Sequence, residues 1–213
     1  MKLYELAFTS HIYDSLTNFN ADYLKFSDGI KPAMDMHKAE HRQELMRWLN
    51  QCGSRQFVLS HDAAANELLD WYKDNQVYLS SMEKPLWEMT VTDIEIIPGI
   101  FDSLASKASA FGSTGASLIL FVLSPHFMIP WDNSIRAKLN CSGNGDEYVE
   151  YLVRALRKIE WLMSSCQSQG IPMTEVPKAM GRGKATVAQL VGEYFFVTLT
   201  KGCYPPPEEM ARP

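Results

Sequence analysis

At 213 residues, 46% of them hydrophobic, the chain is long enough for one compact domain with a sizeable core, with room for two lobes around a cleft. A formal net charge of −5 argues against a protein that coats nucleic acid, because such affinity comes mainly from neutralised phosphates. No apolar run approaches membrane-spanning length and the N-terminus lacks a basic stretch leading into an apolar one, so the expectation is an intracellular, cytoplasmic monomer that does not engage a membrane.

The first thirty residues space Tyr4, Phe8, Tyr13, Phe19, Tyr23 and Phe26 in a loosely helical way, although Tyr4 to Phe8 also suits a short strand. Asp28-Gly29 and Pro32 close the segment with a turn. A helix is expected over residues 35–51, with Leu45, Met46, Trp48 and Leu49 on one side and Gly53 as its stop. It would carry His37-Lys38-Ala39-Glu40-His41, an HxxEH pattern that puts two imidazoles on one helix face as a zinc peptidase requires. No third ligand accompanies the pair, and a solvated polar face explains the pattern equally. The four cysteines, Cys52, Cys141, Cys166 and Cys203, are scattered without a CxxC pair and read as buried or incidental thiols.

Further on, Asp62 can cap a helix bearing Leu68, Leu69, Trp71 and Tyr72. Pro85 suits a helix start, and Thr92 with Glu95 has the spacing of a capping box. Pro98-Gly99 should break or kink that helix before Phe101 and Leu104 resume the pattern. After a turn at residues 142–146, the longest helical pattern runs to Cys166, with Tyr148, Tyr151, Leu152, Ala155, Leu156, Ile159, Leu162 and Met163 as its apolar stripe. Residues 184–202 read as a last helix, its β-branched end at Val197 to Thr200 open to being a strand. The tail 205–213 is expected to be flexible. Lys178, Arg182 and Lys184 form a basic cluster, and Arg136 with Lys138 a smaller one, either solvated surface or a local basic face. Among all these elements no strand is required, so the fold class is mostly α.

The richest stretch is Gly112 to Leu139, GSTGASLILFVLSPHFMIPWDNSIRAKL. Gly112 and Gly115 flank Ser113 and Thr114, so the backbone can turn tightly and leave amides open at the head of an apolar helix, an arrangement that attracts an anion such as phosphate. Pro125 and Pro130 then forbid continuation, and Asp132 precedes the pattern NSIRAKL. Asp132 therefore stands at a helix N-terminus, where a carboxylate is favoured and where a plain N-cap contributes about 1 kcal/mol.

These residues resemble the helix-hairpin-helix DNA glycosylase superfamily, the group of endonuclease III-like enzymes, whose signature is a hairpin of the form LPGVGxKTA, an apolar helix and a Gly/Pro-rich loop ending in VDTHVxR. Gly112 to Ala116 lies over the end of that hairpin and Pro130 to Arg136 over the loop and its Asp, without a gap, so the resemblance covers the middle third of the chain. It implies a single helix-hairpin-helix domain over residues 1–204, with hairpin and catalytic loop at 93–139 and a second helical lobe built from the terminal segments around a cleft. Two positions depart from the pattern: Thr114 stands where bifunctional members carry the Schiff-base lysine, and Ala110 replaces the hairpin's first glycine.

What the resemblance implies is a monofunctional DNA N-glycosylase without β-lyase activity, which excises a flipped, damaged or modified base and leaves an abasic site. Asp132 would be the catalytic carboxylate, stabilising an oxocarbenium-like sugar or activating water. The backbone of Gly112, Ser113, Thr114, Gly115 and Ala116 would hold DNA, with no required cofactor, a monovalent cation admissible at the hairpin, and no metal. Trp131, Trp48 and Arg55 are candidates for the base pocket. Three other readings stay open: a non-catalytic hairpin module that only binds DNA, a ribonucleoside hydrolase suited to the acidic net charge, and the zinc peptidase.

Overall fold

The computed structural model describes residues 1–53, 61–107 and 111–207. Among them the fold is all helical: α1 (Leu3–Leu16), α2 (Phe19–Gly29), α3 (Ala39–Gln51), α4 (His61–Ser81), α5 (Val91–Ala105), α6 (Gly112–Leu123), α7 (Asn133–Leu139), α8 (Gly145–Ser168), α9 (Val176–Ala179) and α10 (Val187–Phe195). Short 3₁₀ turns stand at Leu86–Glu88 and Met173–Glu175. None of the described helices is long and apolar enough to cross a membrane.

Helix α6 is the axis of the core. From Gly115 to Val122 every residue is buried, as its unbroken apolar run demands. Helix α5 lies along α6 and α8, α1 along α10, and α3 along α4. In α8 the stripe of Tyr148, Tyr151, Leu152, Ala155, Ile159 and Leu162 faces inward, continued by Cys166. Met163 leaves the stripe and is exposed, because one residue beyond Leu162 the 100° step of the helix carries it outward.

Local chemistry moves several expected boundaries. Residues 35–38 do not belong to α3: Asp35 Oδ1 accepts from the His37 N–H at 2.9 Å, and the Asp35 N–H donates to His41 Nδ1 at 3.1 Å. An Asp turn thus competes with the helix and wins. The first segment is α1 rather than a strand, and the expected strand at Val197 to Thr200 is a π-helical turn, Phe196–Thr200, that continues α10. The capping box of α5 is Thr90 with Asp93, not Thr92 with Glu95: Asp93 Oδ2 accepts from the Thr90 N–H at 2.6 Å and from Lys84 Nζ at 2.7 Å. Burial opposes ionisation of Asp93, but Lys84 and Thr90 outweigh it and hold the carboxyl below the usual range.

Helix α5 also runs straight through Pro98-Gly99. A helix tolerates an internal proline when its neighbours compensate, and here the start of α8 closes on it: the Gly145 N–H donates to Asp102 Oδ1 at 2.7 Å. A Cβ on Gly145 would lie 2.4 Å from the Pro98 carbonyl oxygen and 2.5 Å from its Cα. Gly145→Ala is therefore expected to force α5 and α8 apart and cost about 2–3 kcal/mol, read as a lowered urea midpoint. An unchanged midpoint would mean that this helix contact is looser than drawn.

Candidate functional site

The loop from Ser124 to Asp132 carries no regular structure, yet Phe127, Met128 and Ile129 are fully buried. Its carbonyls need partners, and side chains from other elements provide them. Tyr148 Oη donates to Ile129 O at 2.9 Å, Tyr151 Oη to Pro130 O at 3.3 Å and Thr186 Oγ1 to Pro125 O at 2.6 Å. The end of the loop is bound to α6, where Ser117 Oγ accepts from the Trp131 N–H at 3.0 Å.

Arg136 completes the clamp. It is nine-tenths buried, its Nη1 donates to Trp131 O at 2.7 Å, and its Nη2 donates to Thr114 Oγ1 at 3.0 Å and to Asn133 Oδ1. This guanidinium points into the protein and so does not contribute to an exposed basic face; burial lowers its pKa, opposed by Asp132. It fixes the α6 turn against the start of α7.

Asp132 is held at that junction. Its Oδ1 accepts from the Ile135 N–H at 2.8 Å and caps α7, while among the described residues no hydrogen bond reaches Oδ2. The carboxylate thus caps a helix and keeps one oxygen for other work. A left-handed Asn140, φ 56°, ends the short helix seven residues on.

Two concavities meet at Asp132. The first is a cleft of about 450 Å³, within the range of roughly 300–1,000 Å³ typical of small-molecule sites. Its walls are Tyr13, Phe19 and Asp22 from α1 and α2, Trp131 and Asp132 from the loop, and Phe196 beyond α10. The second is a groove of about 430 Å³ in front of the first turn of α6, lined by Gly112, Ser113, Thr114, Asn133, Ser134 and Arg136. Cys52, Gly53, Thr114 and Asp132 belong to both.

At the back of the cleft lies a buried polar network. Glu193 Oε2 accepts from Ser10 Oγ at 2.6 Å, and its Oε1 accepts from Asn20 Nδ2 at 2.9 Å and from Arg182 Nη2 at 3.0 Å. Gln189 Nε2 donates to Asn20 Oδ1 at 2.7 Å, and Arg182 Nη1 reaches Asp14 Oδ2 at 2.9 Å. Burial pushes the Glu193 carboxyl up, against the opposing pull of Arg182, Ser10 and Asn20. The network ties α1, α2 and α10 together behind the cleft.

The candidate residues named from sequence are distributed unevenly over this geometry. Asp132, Trp131 and Thr114 meet in the cleft, and Gly112 and Ser113 line the groove beside it. Gly115 and Ala116 are buried in α6 and line neither. Trp48 is buried and stacks on Phe26 with ring centroids 5.1 Å apart, so it serves the core. Arg55 and Ala110 lie outside the described residues. The tail is anchored at Pro206, whose carbonyl accepts from Tyr4 Oη.

The basic cluster near the C-terminal end is neutralised in place. Lys178 pairs with Glu175, Lys184 with Asp28, and Arg182 with Asp14 and Glu193. His37 lies ahead of α3 while His41 lies in it, so the two do not share a helix face. Among the described residues no group of three His, Cys, Asp or Glu converges as a metal site would need.

Tyr13, Phe19, Asp22, Gln189 and Glu193 are the cleft residues that sequence reasoning did not single out. Gln189 and Glu193 left a trace in the chain: two polar side chains four apart on an otherwise apolar helix, hence on its buried face. No protein-family model, curated protein or solved structure matches this chain.

Proposed function

We propose that this protein is a monofunctional DNA N-glycosylase of the helix-hairpin-helix kind. The observation that carries the reading is the position of Asp132, whose carboxylate stands where a closed aromatic cleft and an open groove at a helix start share a wall. A target nucleotide turned out of the duplex would place its base in the cleft and its flanking phosphate in the groove, against the amides of Gly112, Ser113 and Thr114. The sugar would then lie beside Asp132. As the C1′–N bond breaks, positive charge gathers on the sugar, and a fixed carboxylate lowers that barrier and accepts the proton of the attacking water. Thr114 offers a hydroxyl where a lyase would need an amine, which supports hydrolysis without strand cleavage.

The test is release of free base from undamaged, alkylated, oxidised, deaminated and heavily modified phage DNA, followed by chromatography, with alkali-labile sites counted in parallel. Release of a base with an alkali-labile site left behind supports the reading; intact DNA in every case removes it. A second reading, hydrolysis of a free nucleoside by the same carboxylate, is favoured by one observation: Lys178, Arg182 and Lys184 all pair with carboxylates and give a DNA backbone little to hold. Ribose released from nucleosides, with DNA untouched, would select it.

A further inference from the structure

The cleft is unbalanced in charge. Its described walls carry three carboxylates, Asp22, Asp132 and Glu193, and no lysine, arginine or histidine. Glu193 is neutralised by Arg182. Asp22, half-buried on α2, takes part in no ion pair and no side-chain hydrogen bond among the described residues, and Asp132 keeps Oδ2. The nearest guanidinium to Asp132, that of Arg136, sits 5.5 Å from the centre of the Trp131 ring and lines the groove rather than the cleft.

Aromatic surface separates the two carboxylates. Tyr13 meets Phe19 edge to face at 6.4 Å and Phe196 at 5.2 Å, so the three rings form one continuous wall. Lys201 lies 5.2 Å from the Phe196 ring but does not line the cleft. Trp131 closes the far side, and its fully buried indole N–H has no partner.

Such a space discriminates by charge. An anion would be repelled, and a neutral ring would strip water from Asp22 and Asp132 without compensating them. A flat cation would be attracted by both carboxylates and by the faces of the aromatic rings. We propose that the cleft takes a nucleobase bearing a formal positive charge on its ring, as a purine alkylated at a ring nitrogen does. The proposal rests on the glycosidic reading of Asp132 and names its substrate class.

The chemistry balances. The C1′–N bond breaks with its electron pair going to the ring, so the cationic base leaves neutral and the positive charge passes to the sugar, still beside Asp132. Water adds to C1′ and gives its proton to Asp132, which passes it to solvent.

The test compares two duplexes of one sequence, each bound to the full-length protein. One contains N7-methylguanine on a 2′-fluoro sugar that slows release; the other contains 7-methyl-7-deazaguanine, which has the same shape and no charge. Wild type is expected to bind the charged base about tenfold more tightly, and Asp22→Asn is expected to reduce that preference to about twofold. Thermal melting followed by circular dichroism checks that the Asp22→Asn protein is folded. Equal binding to the two duplexes, absence of binding included, overturns the proposal, as does a preference untouched by Asp22→Asn. Binding and release are read separately. A charge preference without release of any base leaves the charge selection standing and removes the glycosidic reading, whereas release confined to neutral bases does the reverse.

Discussion

Replacing Asp132 by Asn is expected to reduce base release by about a hundredfold to ten-thousandfold while leaving the protein as stable as wild type to within about 0.5 kcal/mol. The two halves of that expectation come from the two oxygens. Oδ1 caps α7 by accepting from the Ile135 N–H, and an asparagine carbonyl oxygen caps a helix as well as a carboxylate does. Oδ2 faces no described donor, and its negative charge is what an oxocarbenium-like sugar needs; an amide cannot supply it.

The comparison that gives this result its meaning is Asp132→Ala. Loss of the cap should cost about 1 kcal/mol in stability on top of the lost activity. Base release by single turnover and urea unfolding, measured on the same three proteins, separate the roles. Full activity in Asp132→Asn would reduce Asp132 to a capping residue, and a protein that still bound DNA without releasing any base from any substrate would be a hairpin module.

The second large effect concerns Arg182. Arg182→Ala removes the cation that neutralises Glu193 and Asp14, and leaves a carboxyl that is only 3% exposed without its counter-charge. Breaking such a pair from one side costs about 3–5 kcal/mol when the remaining charge stays buried, and Arg182 is partly exposed, so about 2–4 kcal/mol is expected at pH 8. The loss should depend on pH. Burial already raises the Glu193 carboxyl above its ordinary value, and Arg182, Ser10 and Asn20 restrain that rise. Without Arg182 the folded-state value climbs further.

The sign follows from proton binding. In the window between the unfolded value, about 4.3, and the raised folded value, the native state binds more proton than the unfolded chain, so stability falls as pH rises through it. The window is wider in the variant. Its deficit relative to wild type should therefore be largest at pH 8 and shrink toward pH 5, where Glu193 takes up a proton. Urea unfolding at pH 8, 6.5 and 5 measures this; a deficit constant across the three values would mean that Glu193 stays ionised without Arg182. The cleft should suffer too, because the network ties α1 and α2, which bring Tyr13, Phe19 and Asp22, to α10.

Much of this was written locally in the chain. The all-helical class, the buried run of α6, the stripe of α8, the turn at Gly112 and the place of Asp132 at the head of α7 all follow from periodicity, glycine and proline, which act over a few residues. The errors arose where two local solutions competed. Thr90-Asp93 and Thr92-Glu95 both have capping-box spacing, and only the nearness of Lys84 to Asp93 separates them. His37 and His41 have helical spacing, yet the Asp35 turn draws the first of them out of the helix.

The sequence by itself determined the elements and the single carboxylate that caps α7. Only the tertiary structure decided what that carboxylate faces. Tyr13, Phe19 and Asp22 lie more than a hundred residues before Asp132, and Glu193 and Phe196 some sixty after it; no local pattern couples them. They meet because burying the apolar faces of α1 and α10 against each other brings α2 along, and because Tyr148, Tyr151 and Thr186 fix the loop that carries Asp132. The basic residues show the same division. Arg136, Arg182 and Lys184 look alike in the chain, but folding buries the first under the α6 turn and pairs the other two with carboxylates brought in from α1, α2 and α10.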